Sequence, residues 1–175
     1  HFLFVLLFEY KLSKKHSIDW IRLMSNSSSC KIVNMKVFHM YGENDSPSKF
    51  IPHLIDTILR EEIFIDMTPG LQTRDFIYVN DVVSAFETVL KNELKLTKYQ
   101  EYEVGSGKSF SIKHLAELIK KISKSKTELN FGAIPYRKGE IMESVCNNKK
   151  LLELGWISKF SLNVGLSKII KNFNK

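Results

Sequence analysis

The chain has 175 residues, 43% of them hydrophobic and 26% charged, with a formal net charge of +7. These values are typical of one globular domain with a substantial core, and they exclude a disordered chain.

The lysines are dispersed and accompany no recognised motif, so we expect no nucleic-acid role. The apolar run at residues 2–8 is too short to cross a membrane, and we expect no membrane association. Cys30 and Cys146 are isolated from each other, as is typical of reduced, cytoplasmic proteins.

Helical and extended patterns alternate along the sequence. Residues 2–8 predict a buried strand or the edge of a truncated one, and residues 9–24 have helical periodicity. Residues 31–39 are rich in apolar and β-branched types, as strands are. Further helices are predicted at 50–60, at 80–90 with Asn80 or Asp81 as cap, at 111–122 with Ser111 as cap, and at 148–154 and 161–173. Further strands are predicted at 63–67, 74–79, 102–105 and 129–131. This order indicates a layered α/β fold with too few strands for a complete doubly wound sheet.

Tyr10 and Lys14 are four residues apart, so on a helix their side chains share a face. A nearby ammonium favours the phenolate form and lets a tyrosine act as an acid or base. The chain has six tyrosines and 22 lysines, and such a pair would arise by chance about half of the time. The motif alone is therefore only a hypothesis.

Two arginines are candidates for binding phosphate. Arg74 is at the mouth of a predicted strand, where its planar fork suits phosphate oxygens; the alternative is a surface ion pair with Asp75 or Asp81. Arg137 lies in the loop at residues 134–140, beside Lys138, where a flexible loop could fold over a diphosphate. The alternative there is a solvated loop.

Two other motifs have weaker implications. His39 follows a strand end, where α/β folds collect ligand-binding groups, but a single histidine there is more often structural. The segment from Gly105 to Ser109 ends like a phosphate-binding loop, yet Tyr102 stands where the first glycine would be. We predict a turn from a strand into a helix. No group of histidines, cysteines or carboxylates has the spacing of metal ligands, so we predict no metal site.

Six segments in order carry a family resemblance: Tyr10-x-x-x-Lys14, Tyr41-Gly42, the run from Gln72 to Val82, Tyr102-x-Val104-Gly105-Ser106-Gly107, Arg137-x-Gly139-Glu140 and Leu154-Gly155-Trp156. Together they resemble the extended short-chain dehydrogenase/reductase family, in its NAD-dependent epimerase/dehydratase branch that acts on nucleotide sugars. The resemblance covers nearly the whole chain after about residue 9. Within the branch, residues 39–42, 130–132 and 136–144 look most like reductases of the CDP-abequose or CDP-paratose synthase type, from O-antigen sugar pathways.

The resemblance implies an incomplete Rossmann-type fold, the carboxy-terminal half, with a small substrate-binding lobe. Residues 1–47 would be the remnant of the NAD(P)-binding domain. Residues 48–175 would mainly bind the nucleotide sugar, with 72–105 returning to the Rossmann domain. The glycine-rich motif that holds NAD(P) in this family occurs nowhere in the sequence, so we expect a fragment.

The resemblance also implies roles for single residues. Tyr10 would be the catalytic acid/base, and Lys14 its catalytic partner; both would also bind NAD or NADP, together with the backbone of Val37. Contacts to a nucleotide-diphosphate sugar would come from His39, Lys49, Phe50, Arg74, Arg137 and Glu140. The expected reaction is reduction of a 4-keto deoxysugar or epimerisation at C4, in a homodimer when intact. The alternative is a non-catalytic remnant that binds nucleotide diphosphates weakly or only contacts another subunit.

Overall fold

The computed structural model describes the backbone of residues 2–173 and the side chains of residues 12–173. The helices are α1 (Phe2–Ser27), α2 (Phe50–Leu59), α3 (Val79–Lys91), α4 (Ile112–Ser123), α5 (Lys149–Glu153) and α6 (Leu162–Phe173), with a 3-10 turn at Glu93–Lys95. The strands are β1 (Ile32–Val37), β2 (His39–Tyr41), β3 (Phe64–Met67), β4 (Thr73–Tyr78), β5 (Tyr99–Val104), β6 (Ser109–Ser111), β7 (Glu128–Phe131) and β8 (Glu143–Ser144). The predicted α/β class is confirmed.

Helix α1 begins at Phe2, so the strand predicted for residues 2–8 is wrong. Three of those seven residues are leucine, a strong helix former, and no glycine or proline separates them from the amphipathic stretch that follows. The apolar run therefore continues the helix. Within the described part of the chain, no helix combines the length and the apolar character that a membrane span requires.

The single strand predicted for residues 31–39 is divided at Phe38. Strand β1 lies parallel to β5, and the Phe38 N–H still donates to the carbonyl of Val104 at 2.9 Å. Strand β2 then pairs in parallel with β4, with His39 opposite Phe76. Strand β4 also pairs with β6 and β8, whereas β3 pairs with β7. The chain thus changes partner at Phe38, which sets His39 at the edge of a second group of strands.

Successive side chains of β4 enter two separate cores, because neighbouring residues on a strand point to opposite faces. Phe76 and Tyr78 join a first core formed mainly with α2, α4 and α6. Ile77 joins a second core, which includes Val104 and Trp156. The two faces of β4 therefore connect the halves of the structure.

Two buried carboxylates hold loops in place. Asp75 accepts hydrogen bonds from the N–H groups of Ser106 (2.8 Å) and Gly107 (2.9 Å), so a carboxylate occupies the amides that a phosphate-binding loop would use. Asp81 was predicted as a possible cap of α3, but it lies inside that helix. Its carboxylate accepts instead from the N–H groups of Lys159 (2.8 Å) and Phe160 (3.0 Å). The predicted cap of α4 is confirmed, since the Ser111 hydroxyl accepts from the His114 N–H.

Candidate active site

A cleft of about 790 Å³ opens between the ends of β1 and β2, the start of α2, strand β3 and the loop at residues 132–142. Seven residues predicted from the sequence to bind cofactor or substrate line it: Val37, His39, Lys49, Phe50, Arg74, Arg137 and Glu140. Lys14 is exposed on α1 and is not among the lining residues. The side chain of Tyr10 lies outside the described residues. The structure therefore brings together all six predicted substrate contacts.

Arg74 is held rigidly at the start of β4. Its Nη1 donates to the carbonyls of Thr73 (2.8 Å) and Ile141 (2.6 Å), and its Nη2 pairs with Glu140 Oε1 at 2.6 Å. Only 13% of the Arg74 side chain is exposed. Arg74 therefore does not form the surface ion pair with Asp75 or Asp81 that the sequence left open. The ion pair with Glu140 instead fixes the plane of the guanidinium at the wall of the cleft.

Glu140 also approaches the second arginine. Its Oε2 is 3.5 Å from Nε of Arg137, and the Arg137 side chain is 86% exposed. One carboxylate, itself only 12% exposed, therefore lies between two guanidinium groups. Arg74 is the fixed member of this set, whereas Arg137 can reorient toward a ligand at little cost.

The loop that carries Arg137 is fastened to the lobe. The Ile134 N–H donates to the carbonyl of Met67 at 3.1 Å, and the Leu71 N–H donates to the hydroxyl of Tyr136 at 3.0 Å. A loop tied at these points does not fold over the cleft as one flexible unit. The side chain of Arg137, rather than its backbone, supplies the adaptability expected of this segment.

His39 contacts an aromatic ring and lies in the electrostatic field of a nearby cation. Its ring meets the Phe76 ring edge-to-face, with centroids 6.0 Å apart. Burial, and then the positive charge of Arg74, lower the pKa of His39 below its ordinary value, although Asp75 partly opposes them. The imidazole is therefore neutral at neutral pH, with one nitrogen able to donate and the other able to accept.

The entrance to α2 contributes a charged and an aromatic side chain. Lys49 is the residue before the helix, and its ammonium pairs with Asp45 at 2.7 Å. Phe50 begins the helix and keeps 45% of its surface exposed at the cleft. The Lys49 ammonium is therefore already in an ion pair with Asp45, whereas the Phe50 ring presents an exposed apolar surface to the cleft.

Sequence reasoning missed Asp66 and Ile134, which also line the cleft. Asp66 had a detectable signal, since it is the one charged residue in the short strand β3. Among the described residues, no three histidines, cysteines or carboxylates are grouped so that they could hold a metal ion. Cys30 and Cys146 are both free thiols.

The chain has known relatives both in sequence and in three-dimensional structure. The family model described as "NAD dependent epimerase/dehydratase family" matches residues 4–105. The CDP-abequose synthase of Salmonella typhimurium is 37% identical over 164 residues, which cover 93% of this chain and 55% of that protein. The UDP-glucose 4-epimerase of Thermotoga maritima, solved with UDP-glucose, has a TM-score of 0.81 at 25% identity and is matched over 94% of this chain and 53% of its own. RMD from Pseudomonas aeruginosa, solved with NADPH, has a TM-score of 0.83 at 20% identity, over 94% of this chain and 55% of its own. The chain spans about half the length of the relatives that it matches.

Proposed function

The chain belongs to the NAD-dependent epimerase/dehydratase family, and we propose that it supplies the nucleotide-sugar-binding half of an NAD(P)-dependent 4-keto-sugar reductase or 4-epimerase. The observation that carries this proposal is the pair of arginines, Arg74 and Arg137, that meet at Glu140 on the wall of the cleft. Two guanidinium groups so placed suit the oxygens of a diphosphate.

The two arginines would divide the work of binding. Arg74 is preorganised by its two carbonyl contacts, so little conformational entropy is lost when it meets a phosphate oxygen. Arg137 is exposed and can turn to the second phosphate. Glu140 carries acceptor oxygens beside both arginines, where they suit the hydroxyl groups of the nucleotide's ribose.

The reacting end of the cleft lies toward β1 and β2. When bound, NAD(P) supplies or removes the hydride. The exposed apolar side chain of Val37, at the end of β1, fits the flat face of a nicotinamide ring, so the chain suits that end of the cofactor. On α1, which contacts β1, Tyr10 would exchange a proton with the C4 oxygen of the sugar. Lys14 would bind the nicotinamide ribose.

Reduction of a 4-keto group is favoured over epimerisation by the similarity to a CDP-abequose synthase. The neutral His39 fits either reaction, since an uncharged imidazole can hydrogen-bond a sugar carbonyl or hydroxyl without competing for the phosphates. Epimerisation at C4 is the second candidate, favoured by the structural match to a UDP-glucose 4-epimerase.

A homodimer in the cytoplasm is part of the proposal. Trp20, Leu23 and Met24 have 65%, 61% and 56% of their surfaces exposed on α1. Their spacing places them on one face of the helix, which a partner helix would cover. The unpaired thiols fit a reducing compartment.

Calorimetry of the chain with CDP and with UDP tests the binding role. We expect Arg137→Ala to weaken the binding of both nucleotides at least about tenfold, because each charged hydrogen bond to phosphate contributes about 1.5–3 kcal/mol. Arg60→Ala is the matched control, since Arg60 pairs with Asp56 on the surface and does not line the cleft. Unchanged affinity in Arg137→Ala and in Arg74→Ala would refute the diphosphate site.

The reaction is tested in a protein that joins the amino-terminal half of a CDP-abequose synthase to this chain. Consumption of NADPH with a CDP-linked 4-keto sugar is expected, and Tyr10→Phe should abolish it. Turnover of the Tyr10→Phe variant near the unmodified rate would remove Tyr10 from catalysis. Nucleotide binding without turnover in the joined protein would favour the non-catalytic alternative.

A further inference from the structure

A carboxylate that no catalytic role requires faces the same cleft. We propose that Asp66 recognises the base of the bound nucleotide and selects cytosine over uracil and thymine. This proposal rests on the proposed function, because it requires that a nucleoside diphosphate occupies the cleft.

Asp66 is held in a defined orientation by the neighbouring strand. It lies on β3 opposite Asn130 of β7, and the Asn130 amide donates to Asp66 Oδ1 at 3.1 Å. The second oxygen, Oδ2, has no hydrogen-bond partner among the described residues, and Asp66 lines the cleft. One oxygen is therefore fixed by the fold, and the other is available to a ligand.

The other carboxylates of the cleft are already engaged. Asp45 pairs with the ammonium of Lys49 at 2.7 Å and accepts from the Ser46 N–H at 2.9 Å. Glu140 lies between the two arginines. In the described part of the cleft, Asp66 is thus the carboxylate without a cation beside it, and it acts only as a hydrogen-bond acceptor.

Apolar side chains in the same cleft as Asp66 suit a flat ring. Phe50 and Ile134 each leave 45% of their surfaces exposed, and both line the cleft with Asp66. The N–H of Ile134 is bonded to the carbonyl of Met67, the residue after Asp66. Stacking on such side chains holds a base without reading its identity. The edge of the base is then read by the polar group beside it.

The direction of the nucleotide follows from the position of the arginines. Val37 and His39 mark the end of the cleft toward α1, where the sugar would react. If the diphosphate lies at Arg74 and Arg137, the part of the cleft left for the nucleoside is the part lined by β3, which pairs with β7 and not with β2 or β4. The base would then lie against the wall that carries Asp66.

The three pyrimidines differ in what they present to a carboxylate. Cytosine has an amino group at position 4, which donates to an aspartate or glutamate oxygen. Uracil and thymine have a carbonyl there, and two acceptors facing each other repel. Their N3–H can donate, but it is flanked by two carbonyl oxygens. A lone carboxylate therefore favours cytosine.

The test is calorimetry of the chain with CDP, UDP and dTDP. The unmodified chain should bind CDP at least about tenfold more tightly than UDP or dTDP, as expected for one discriminating base contact. Asp66→Asn, which adds an N–H donor for a carbonyl, should reduce the preference to less than about threefold. Asp56→Asn, a surface change on α2, should leave the preference intact. Asn130→Ala should weaken the preference without changing the fold.

The outcomes separate this inference from the function on which it rests. If Asp66→Asn keeps the full preference for CDP while Arg137→Ala weakens all three nucleotides, Asp66 does not read the base and the diphosphate site stands. Equal binding of CDP and UDP by the unmodified chain also overturns the inference. If none of the three binds, both proposals fail together.

Discussion

The hydroxyl and the backbone N–H of Ser106 both donate to Oδ1 of Asp75, at 2.7 and 2.8 Å, although Asp75 is completely buried. Its Oδ2 accepts from the N–H groups of Gly107 (2.9 Å) and Cys146 (3.2 Å). One carboxylate thus joins β4 to the turn after β5 and to the segment after β8. The adjacent Arg74 is held by the segment on the other side of β8, because its Nη1 donates to the carbonyl of Ile141 at 2.6 Å.

Removing this carboxylate should destabilise the chain strongly. We expect Asp75→Ala to lower the free energy of unfolding by about 3 kcal/mol or more, because several buried donors lose their acceptor at once. Urea denaturation followed by circular dichroism measures this. Asp56→Ala, at an exposed ion pair, should change stability by about 0.5 kcal/mol or less. A similar small effect of Asp75→Ala would contradict the assignment.

The loss of folding stability at acid pH should depend on Glu101. Its hydrogen bonds from Lys36, then from Tyr99 and Arg22, lower its pKa from 4.5 to about 2. A lowered pKa in the folded state means that the stabilisation is present above about pH 4.5 and is lost as the pH falls toward 2.

We therefore expect Glu101→Gln to be less stable than the unmodified chain at pH 7, by about 1 kcal/mol, since Lys36 and Arg22 are more than a third exposed and screened. The difference should shrink between pH 4.5 and 2. Urea titrations across this interval, at low and high salt, measure it. A difference in unfolding free energy that does not vary with pH would show that the ion pairs of Glu101 contribute nothing to stability.

The two thiols should differ in reactivity. Burial, followed by the negative charges of Asp75 and Glu103, raises the pKa of Cys146 to about 12, whereas Cys30 is exposed. Thiolate is the reactive form, so we expect Cys146 to react at least several hundredfold more slowly than Cys30 in the folded chain.

A chromogenic disulfide reagent should therefore titrate one thiol in the native chain and both in denaturant. Cys30→Ser should remove the fast phase completely. Two fast thiols in the native chain would contradict the buried position of Cys146.

Gly165 allows α6 to approach the ring of Tyr41. A Cβ at Gly165 would meet the Tyr41 hydroxyl and come within 2.9 Å of Cζ. Gly165→Ala should cost about 2 kcal/mol through overpacking. Adding Tyr41→Phe should recover part of this loss because the nearest atom is removed, and the double-mutant cycle measures the coupling. The control is Val164→Ala, on the exposed face of α6. If the effects of Gly165→Ala and Tyr41→Phe on stability are additive, the clash is excluded.

Local patterns were sufficient to predict most helices, whereas the family resemblance was needed to predict which residues line the cleft. Helices α2, α4 and α6 have apolar faces that repeat at helical spacing, and the cap of α4 is a short-range signal. The gathering of Arg74, Arg137 and Glu140 at one cleft followed from an ordered set of motifs. The ion pair between Arg74 and Glu140 could not be predicted in this way, because it joins residues 66 positions apart.

Other features depend on tertiary structure that local patterns do not contain. The break at Phe38 arises because β1 and β2 have different partners, β5 and β4. Asp81 looked like a helix cap because of its position, but the N–H groups that it binds belong to residues 78 and 79 positions later. Strands β6 and β8, of three and two residues, exist because β4 offers an edge to pair with.

Strand β4 serves both cores and pairs with three other strands. Neither core can open while this strand remains in place, so the two should be lost in a single cooperative step. In hydrogen exchange, the amides of β4 should be the slowest of the chain, and their exchange should report global unfolding. The residue at the cleft wall, Arg74, is thereby attached to the part of the molecule that fluctuates least.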